Sequence, residues 1–364
     1  MSELRLAPTA PAGTAATSLA TTRNAFDALR LLAAVIVVFQ HGNADLSTNA
    51  LWNIAGPLDG VAMFFVLSGF LVFSSADNIV ARGRSWRTFF ANRYLRIAPA
   101  LYVFAVAAPL SLVALGTVPA SALASLPFAA WLGSFAVLLP NFKPEFFAHL
   151  GSGSINGPLY TIPAEVSFYL VIPLIFVAIR TWGFWPTIAG LAIVSTAGSV
   201  ASNLLGGGVA SVLHHTFLER GAYFTVGIVL ARYWRRIPLR WWLALVALAL
   251  VLGLLLLGPQ PLFVPVYGPL KPLLLAGPLA YVLLYAGLRA PRVFTGLTAR
   301  IGDLSYGTYI WHAFVIAVLA WFGIEGSWGP VFLLLGVSLG LAALSWFFVE
   351  KPALRLKRVR LRAA

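Results

Sequence analysis

The sequence predicts an all-α membrane protein, a polytopic bundle of about ten spanning helices with one further re-entrant or surface-lying segment. Composition is the first reason, because 60% of the residues are hydrophobic, 10% are charged and mean hydropathy is +0.88. The second is a series of apolar segments long enough to cross a bilayer, and the third is a sharp alternation of basic loops. Cysteine is absent, which excludes thiolate metal sites and a thiol nucleophile.

The spans follow from a requirement for roughly 20 mostly apolar residues, with about 17 as the lower limit. The segments that meet it are 26–42, 58–76, 97–116, 158–179, 184–204, 217–232, 240–257, 269–288, 303–323 and 329–349. They predict one membrane domain over residues 24–352. A disordered cytoplasmic tail (1–23), rich in Ala, Thr and Pro, precedes it, and a basic cytoplasmic tail (353–364) follows.

The basic residues predict the orientation. Of the 25 Lys and Arg residues, Lys143, Arg220 and Lys271 are the ones that fall on the side opposite the termini. The positive-inside rule therefore predicts a multi-pass protein with both termini in the cytoplasm. The excess of Arg over Lys and the abundant Ala and Leu are compatible with the cytoplasmic (inner) membrane of a bacterium, which is the expected location. Because the formal charge of +14 is concentrated in these loops, nucleic acid is not expected as a partner.

One apolar segment, 121–140, does not fit this alternation, since a full crossing there would invert every later loop. It is predicted to dip into the membrane and return, or to lie against the bundle on the outer side. The next stretch, 141–157, contains Gly151, Ser152, Gly153 and Ser154. It is interpreted either as a flexible outer loop beside a site or as a plain connector.

Arg30 and His41 bracket the apolar run of the first span. Eleven helical residues turn through about 1100°, about 20° past three circles, so both side chains share a face about 16 Å apart along the axis. One groove can hold both, which suggests a long substrate between them. Asp27 is spaced to pair with Arg30. The alternatives are an interfacial arginine that reaches the headgroups and an ordinary helix-end histidine.

Three further charged residues are candidates for the site. Arg93 and Arg96 are one turn apart before the third span and can converge on a polyanion, because guanidinium groups suit phosphate oxygens. Ordinary positive-inside placement is the alternative. Glu165 lies about two turns into the fourth span, where it must be paired, protonated or facing water. A carboxylate that orients an imidazole is a common general-base arrangement. A structural hydrogen bond is the other interpretation.

Several weaker candidates remain. Ser68 and Gly69 favour close helix packing, with a nucleophilic serine as the lesser alternative. Ser305, Tyr309 and His312 share one face of the ninth span and either line a cavity or bond across helices. No metal is predicted, because no metal-ligand spacing connects the outer-loop histidines His149, His214 and His215.

The chain resembles the integral-membrane acyltransferases grouped as acyltransferase family three. The likeness is carried by six segments in order. These are Phe26 to Arg30 with His41, Phe64 to Phe70, Arg93 to Pro99, Pro163 to Leu170, Ser305-Tyr306 with Tyr309 and His312, and Val349 to Pro352. The chain departs from the family pattern in two places. Tyr160 and Thr161 stand where Trp-Ser is common, and Val166 stands where a second acidic residue is frequent.

The resemblance implies transfer of an acyl group, often acetyl, from acyl-CoA to a hydroxyl of a carbohydrate or related acceptor. It also implies that Arg30, His41, Arg93, Arg96 and Glu165 are functional. The hypothesis is that the three arginines bind the phosphates of acyl-CoA at the cytoplasmic side. His41 acts as general base or transient acyl carrier, with Glu165 as the second catalytic residue. The alternative is a transporter of a lipid-linked sugar or small molecule, although the inverted repeats common in transporters are not evident.

Overall fold

A computed structural model describes residues 24–46, 58–151, 153–257 and 264–356. The predicted N-terminal tail (1–23), Ser152 and residues 357–364 of the predicted C-terminal tail lie outside the described residues. The α-helices are α1 (Phe26–Leu46), α2 (Gly60–Ala81), α3 (Trp86–Ala114), α4 (Leu126–Ala136), α5 (Thr161–Trp182), α6 (Phe184–Leu205), α7 (Gly207–His214), α8 (Phe217–Tyr233), α9 (Trp241–Leu257), α10 (Val264–Arg289), α11 (Arg292–Ile301), α12 (Ser305–Trp321) and α13 (Trp328–Ser345).

The architecture confirms an all-α polytopic membrane protein. Within the described residues, seven helices are long and apolar enough to cross a membrane: α1, α2, α3, α5 with the turn before it, α6, α10 from Tyr267, and α13 with its continuation to Leu356. The helices α8, α9 and α12 have 17 residues each, which is about the lower limit for a span. Each of the predicted spans therefore corresponds to a helix.

The anomalous segment 121–140 forms a short helix. After a 3₁₀ turn (Ala120–Ala124), Ser125 caps α4 by accepting a hydrogen bond from the Phe128 backbone N–H. The 11 residues of α4 extend about 16 Å, well short of the about 30 Å hydrocarbon core. The buried Trp131 indole donates to the Ala105 carbonyl at 2.8 Å, which attaches α4 to α3. The length of α4 agrees with the prediction that this segment does not cross the membrane.

The chain divides into two compact units. The first contains Ala62–Arg93 and Glu165–Arg300 together with the residues up to Leu29. In it, α2 and α8 approach closely at two glycines. A Cβ atom at Gly69 would lie 2.4 Å from the Phe224 carbonyl oxygen, and one at Gly227 would lie 2.5 Å from the Val66 carbonyl oxygen. The packing role predicted for Gly69 is thus confirmed, because any side chain there would separate the two helices.

The second unit contains Arg30–Val61, Tyr94–Ala164 and the residues from Ile301 onward. Its most enclosed helix is α12, in which every residue from Ser305 to Ala317 is buried. A Cβ atom at Gly307 would lie 2.8 Å from the Cα of Ala342, so α12 and α13 cross in close contact. Polar residues of α12 therefore need partners on neighbouring helices.

Candidate active site

Two polar pairs connect α1 to α12 and the loop before it, within the second unit. At the N-terminal end of α1, Arg30 Nη1 lies 2.5 Å from Asp303 Oδ2. Toward the other end, His41 Nδ1 lies 2.9 Å from His312 Nε2. Both side chains of α1 face the same neighbour, as the helical spacing predicted. Since residue numbers rise from the first pair to the second on both elements, α1 and α12 run in the same direction.

The imidazole pair has a defined proton arrangement. His312 Nδ1 lies 2.7 Å from the Tyr309 carbonyl oxygen, which only accepts, so this nitrogen must carry a proton. In neutral His312 the Nε2 atom then has a lone pair and accepts the Nδ1–H of His41. His41 Nε2 is left with its own lone pair and, among the described residues, with no hydrogen-bond partner. This tautomer is the one a general base requires.

The Tyr309 hydroxyl attaches α12, the helix that carries His312, to the residues at the start of α5. It lies 2.7 Å from Thr161 Oγ1 and donates to the Pro158 carbonyl at 2.5 Å. These bonds connect α12 to the start of α5. Of the two interpretations weighed for this face of α12, the structure supports bonding across helices, because Tyr309 bonds to the start of α5 and His312 to α1.

His41 lines a cavity of about 180 Å³. Its walls come from α1, α12 and the loop before α5: His41, Asp45, Gly151, Ser154, Gly157, Pro158, Tyr160, Ala313, Ile316 and Ala317. The volume is below the roughly 300–1,000 Å³ of pockets that enclose a drug-sized ligand. It suits one reacting group or one ring of a larger substrate.

The loop predicted to lie beside a site does line this cavity, but it is hydrogen bonded. Asn156 is buried, and its Nδ2 donates to the carbonyl oxygens of Pro140 at 2.5 Å and Phe142 at 3.2 Å. Gly151 has φ +50°, and a Cβ there would lie 3.3 Å from the Cα of Ala317. Glycine thus allows the loop to pass directly against α12.

A second cluster surrounds Arg96. Its Nη2 donates to Asp303 Oδ2 at 2.5 Å, and its Nη1 donates to Glu350 Oε2 at 3.0 Å. Glu350 ends a π-helical turn (Trp346–Glu350) and accepts from Ser345 Oγ at 3.1 Å. The structure therefore brings Arg30 and Arg96 together on one carboxylate, Asp303. The cluster has two positive and two negative side chains.

Asp303 lies in the loop that precedes α12, outside the membrane-crossing helices. Burial alone would raise the pKa of its carboxyl, but Arg30, Arg96 and the hydrogen bonds from Ser305 outweigh burial and lower the pKa to about 2. The carboxylate is therefore ionised at any physiological pH.

Arg93 and Glu165 belong to the first unit, where each has other partners. Arg93 Nη2 donates to Ser75 Oγ at 3.4 Å, its guanidinium lies 6.0 Å from the centroid of the Phe89 ring, and no carboxylate of the described residues is within ion-pair distance. Glu165 Oε1 accepts from Ser68 Oγ at 3.0 Å and from the Tyr169 hydroxyl at 2.5 Å. The catalytic assignment of Glu165 remains a prediction, since its partners in the structure are hydroxyl groups.

The sequence interpretation missed the roles of three residues. Asp303 is absent from the sequence candidates, Glu350 appears there within a motif and without a role, and His312 appears there without its bond to His41. The available signal was charge in an apolar setting, since Asp303 is the first residue of one predicted span and Glu350 directly follows another. Their partners lie more than 200 residues away in sequence.

Replacement of His312 with alanine is expected to lower kcat by about 10²-fold, because the His41 ring loses the acceptor that fixes its tautomer and orientation. In steady-state assays KM should change much less than kcat. His312→Gln should recover part of the rate, since its amide oxygen can accept the Nδ1–H of His41. Full activity in both variants would show that His312 has no positioning role.

Comparison with known proteins determines the class of this chain. A family model described as "Acyltransferase domain" matches residues 23–349. The chain belongs to this acyltransferase family. The predicted resemblance to acyltransferase family three is thereby confirmed, and the protein is an enzyme that transfers acyl groups other than aminoacyl groups. No solved structure matches this acyltransferase significantly.

Three relatives resemble the acyltransferase over most of its length. "Nodulation protein 10" of Rhizobium leguminosarum bv. viciae is 29% identical, over 92% of this chain and 94% of the relative. "Exopolysaccharide production protein ExoZ" of Rhizobium meliloti is 28% identical, over 83% of this chain and 90% of the relative. "Putative peptidoglycan O-acetyltransferase YrhL" of Bacillus subtilis is 27% identical, over 90% of this chain and 54% of the relative.

Proposed function

We propose that this membrane acyltransferase moves an acyl group, acetyl in the simplest case, from cytoplasmic acyl-CoA to a hydroxyl of a cell-surface or secreted carbohydrate. The free Nε2 lone pair of His41 at the wall of a cavity is the observation that carries the proposal. The names of two relatives, which refer to exopolysaccharide production and peptidoglycan O-acetylation, support a glycan acceptor. The basic loops support an inner-membrane location with both termini in the cytoplasm.

In this reaction His41 Nε2 takes the proton of the acceptor hydroxyl while the hydroxyl oxygen attacks the thioester carbonyl. The new ester C–O bond forms, the C–S bond breaks, and the proton passes from His41 to the departing thiolate. His312 Nε2 accepts from His41 Nδ1 throughout and stabilises the transient imidazolium. The same lone pair serves if His41 first takes the acyl group itself and then passes it to the acceptor hydroxyl.

The arginines supply the donor site in this proposal. Arg30 uses Nη1 for Asp303, which leaves its other N–H groups available to a phosphate oxygen. Arg93 belongs to the first unit, and its proposed role in donor binding rests on the sequence; no carboxylate of the described residues pairs with its guanidinium. The positive charge of Arg96 is largely neutralised by its ion pairs with Asp303 and Glu350. Its role in donor binding is therefore chiefly to position Asp303.

Purified protein in proteoliposomes, supplied with acetyl-CoA labelled in its acetyl group, tests the proposal directly. Consumption of the thioester that depends on a carbohydrate acceptor, with an ester product that mild base removes, is the expected result. Mass spectrometry of surface glycans from cells with and without the protein should show the same base-labile ester. If no carbohydrate acceptor causes the thioester to be consumed, and the surface glycans are unchanged without the protein, the proposal is contradicted.

Replacement of Arg30 with alanine is expected to raise the Kd for acetyl-CoA about tenfold or more, because a charged hydrogen bond of about 1.5–3 kcal/mol to phosphate is lost. Isothermal titration in detergent measures the change. Arg82→Ala removes an exposed arginine from a predicted cytoplasmic loop and serves as the matched control. Equal affinity in wild type and Arg30→Ala would exclude Arg30 from the donor site.

A further inference from the structure

We propose that Asp45 determines acceptor specificity. In this inference its carboxylate binds a hydroxyl of the acceptor sugar inside the His41 cavity and restricts that position to sugars without a negative charge. The inference rests on the proposed function, because it takes the acceptor to be a carbohydrate.

The position of Asp45 on α1 places it beside the base. It follows His41 by four residues, which is one helical turn, so the two side chains share a face with Cβ atoms about 5–6 Å apart. Both residues line the cavity. A sugar ring that places one of its hydroxyl groups at His41 therefore brings a neighbouring hydroxyl within hydrogen-bonding reach of Asp45.

The carboxylate of Asp45 is available to a ligand. It is half-buried and has no hydrogen bond or ion pair among the described residues. Another polar group of the wall is already occupied, because the Ser154 hydroxyl donates to Asn156 Oδ1 at 2.7 Å and accepts from the Asn156 backbone N–H at 3.2 Å. An ionised carboxylate only accepts hydrogen bonds, and sugar hydroxyls are donors that match it.

Charge explains the restriction. Among the described residues that line the cavity, Asp45 carries the formal charge, while His41 is neutral when it acts as base. An acceptor with its own carboxylate would place two negative charges a few ångströms apart in a partly enclosed space. That repulsion weakens binding by about tenfold or more. A neutral ring meets no such penalty.

The test uses two probes that differ by one charged group, methyl α-D-glucopyranoside and methyl α-D-glucuronide. Binding of each probe to purified full-length protein is measured by titration with saturation-transfer NMR. The variants are Asp45→Asn and, as a matched control, Glu325→Gln, which removes an exposed carboxylate outside the cavity. Consumption of acetyl-CoA is measured in parallel on the same preparations.

Wild type and Glu325→Gln are expected to bind the neutral glycoside at least about tenfold more tightly than the uronate. Asp45→Asn should weaken binding of the neutral glycoside about tenfold and bring the two affinities close together. When the neutral glycoside is the acceptor, Asp45→Asn should lower kcat/KM mainly by raising KM, with a smaller change in kcat.

Wild type that binds both probes equally, or neither, would overturn the inference, as would Asp45→Asn with the affinities of wild type. The two proposals fail separately. Acetyl-CoA consumption without discrimination between the glycosides removes the role of Asp45 and leaves the proposed function. Discrimination without any acetyl-CoA consumption removes the proposed function and leaves Asp45 as a sugar-binding residue.

Discussion

His41→Ala is expected to reduce acyl transfer by at least about 10²- to 10⁴-fold, the usual contribution of a positioned general base. The loss should be in kcat, because the Nε2 lone pair acts on the reacting hydroxyl rather than on distant parts of either substrate. Acetyl-CoA binding should remain, since Arg30 and Asp303 lie about 16 Å away along α1. Release of free CoA thiol, followed by a thiol-reactive dye, measures the rate.

The matched control is His215→Ala, which removes a histidine outside the cavity whose Nδ1 contacts the Ser211 carbonyl of the preceding helix, α7. This control should retain wild-type activity. Equal elution of both variants in size-exclusion chromatography would establish that they fold. Turnover by His41→Ala at the wild-type rate would remove His41 from the mechanism.

Asp303→Asn is expected to lower the free energy of unfolding by about 3 kcal/mol, because two partly buried guanidinium groups lose the carboxylate that they share. The loss should appear as a lower Tm in detergent. Donor binding should weaken in the same variant, since Arg30 loses the contact that orients it.

The pH dependence gives a second measurement on Asp303. A carboxyl whose pKa falls from 3.8 to about 2 on folding stabilises the protein above pH 4, and this contribution disappears as pH falls through 2. Wild type should lose stability in that window more steeply than Asp303→Asn. Glu145→Gln, which neutralises an exposed acid, is the control. Parallel stability profiles for wild type and Asp303→Asn would show that the ion pairs of Asp303 contribute nothing to the free energy of unfolding.

The parts of the site that sequence could predict are local ones. The common face of Arg30 and His41 follows from helix geometry, and the apolar character of the spans follows from their composition. The third span shows the limit of hydropathy. The sequence placed its start at residue 97, whereas α3 begins at Trp86, because a helix continues through charged interfacial residues such as Arg93.

Partners distant in sequence could not be predicted. His312 is 271 positions from His41 and Asp303 is 273 positions from Arg30, and nothing in the local pattern of either residue specifies the other. The loop 141–157 shows the same limit. Its glycines and serines are typical of a flexible connector, yet the Asn156 side chain donates to the carbonyl groups of Pro140, just before the loop, and Phe142, near its start.

The size of the His41 cavity also bears on wasteful hydrolysis. A cavity of about 180 Å³ has room for several water molecules. In the proposed reaction, each of these waters competes with the acceptor hydroxyl as a nucleophile. A sugar ring that fills the space displaces them before the base acts. In the proposed reaction the acceptor would thus protect the acyl donor from hydrolysis.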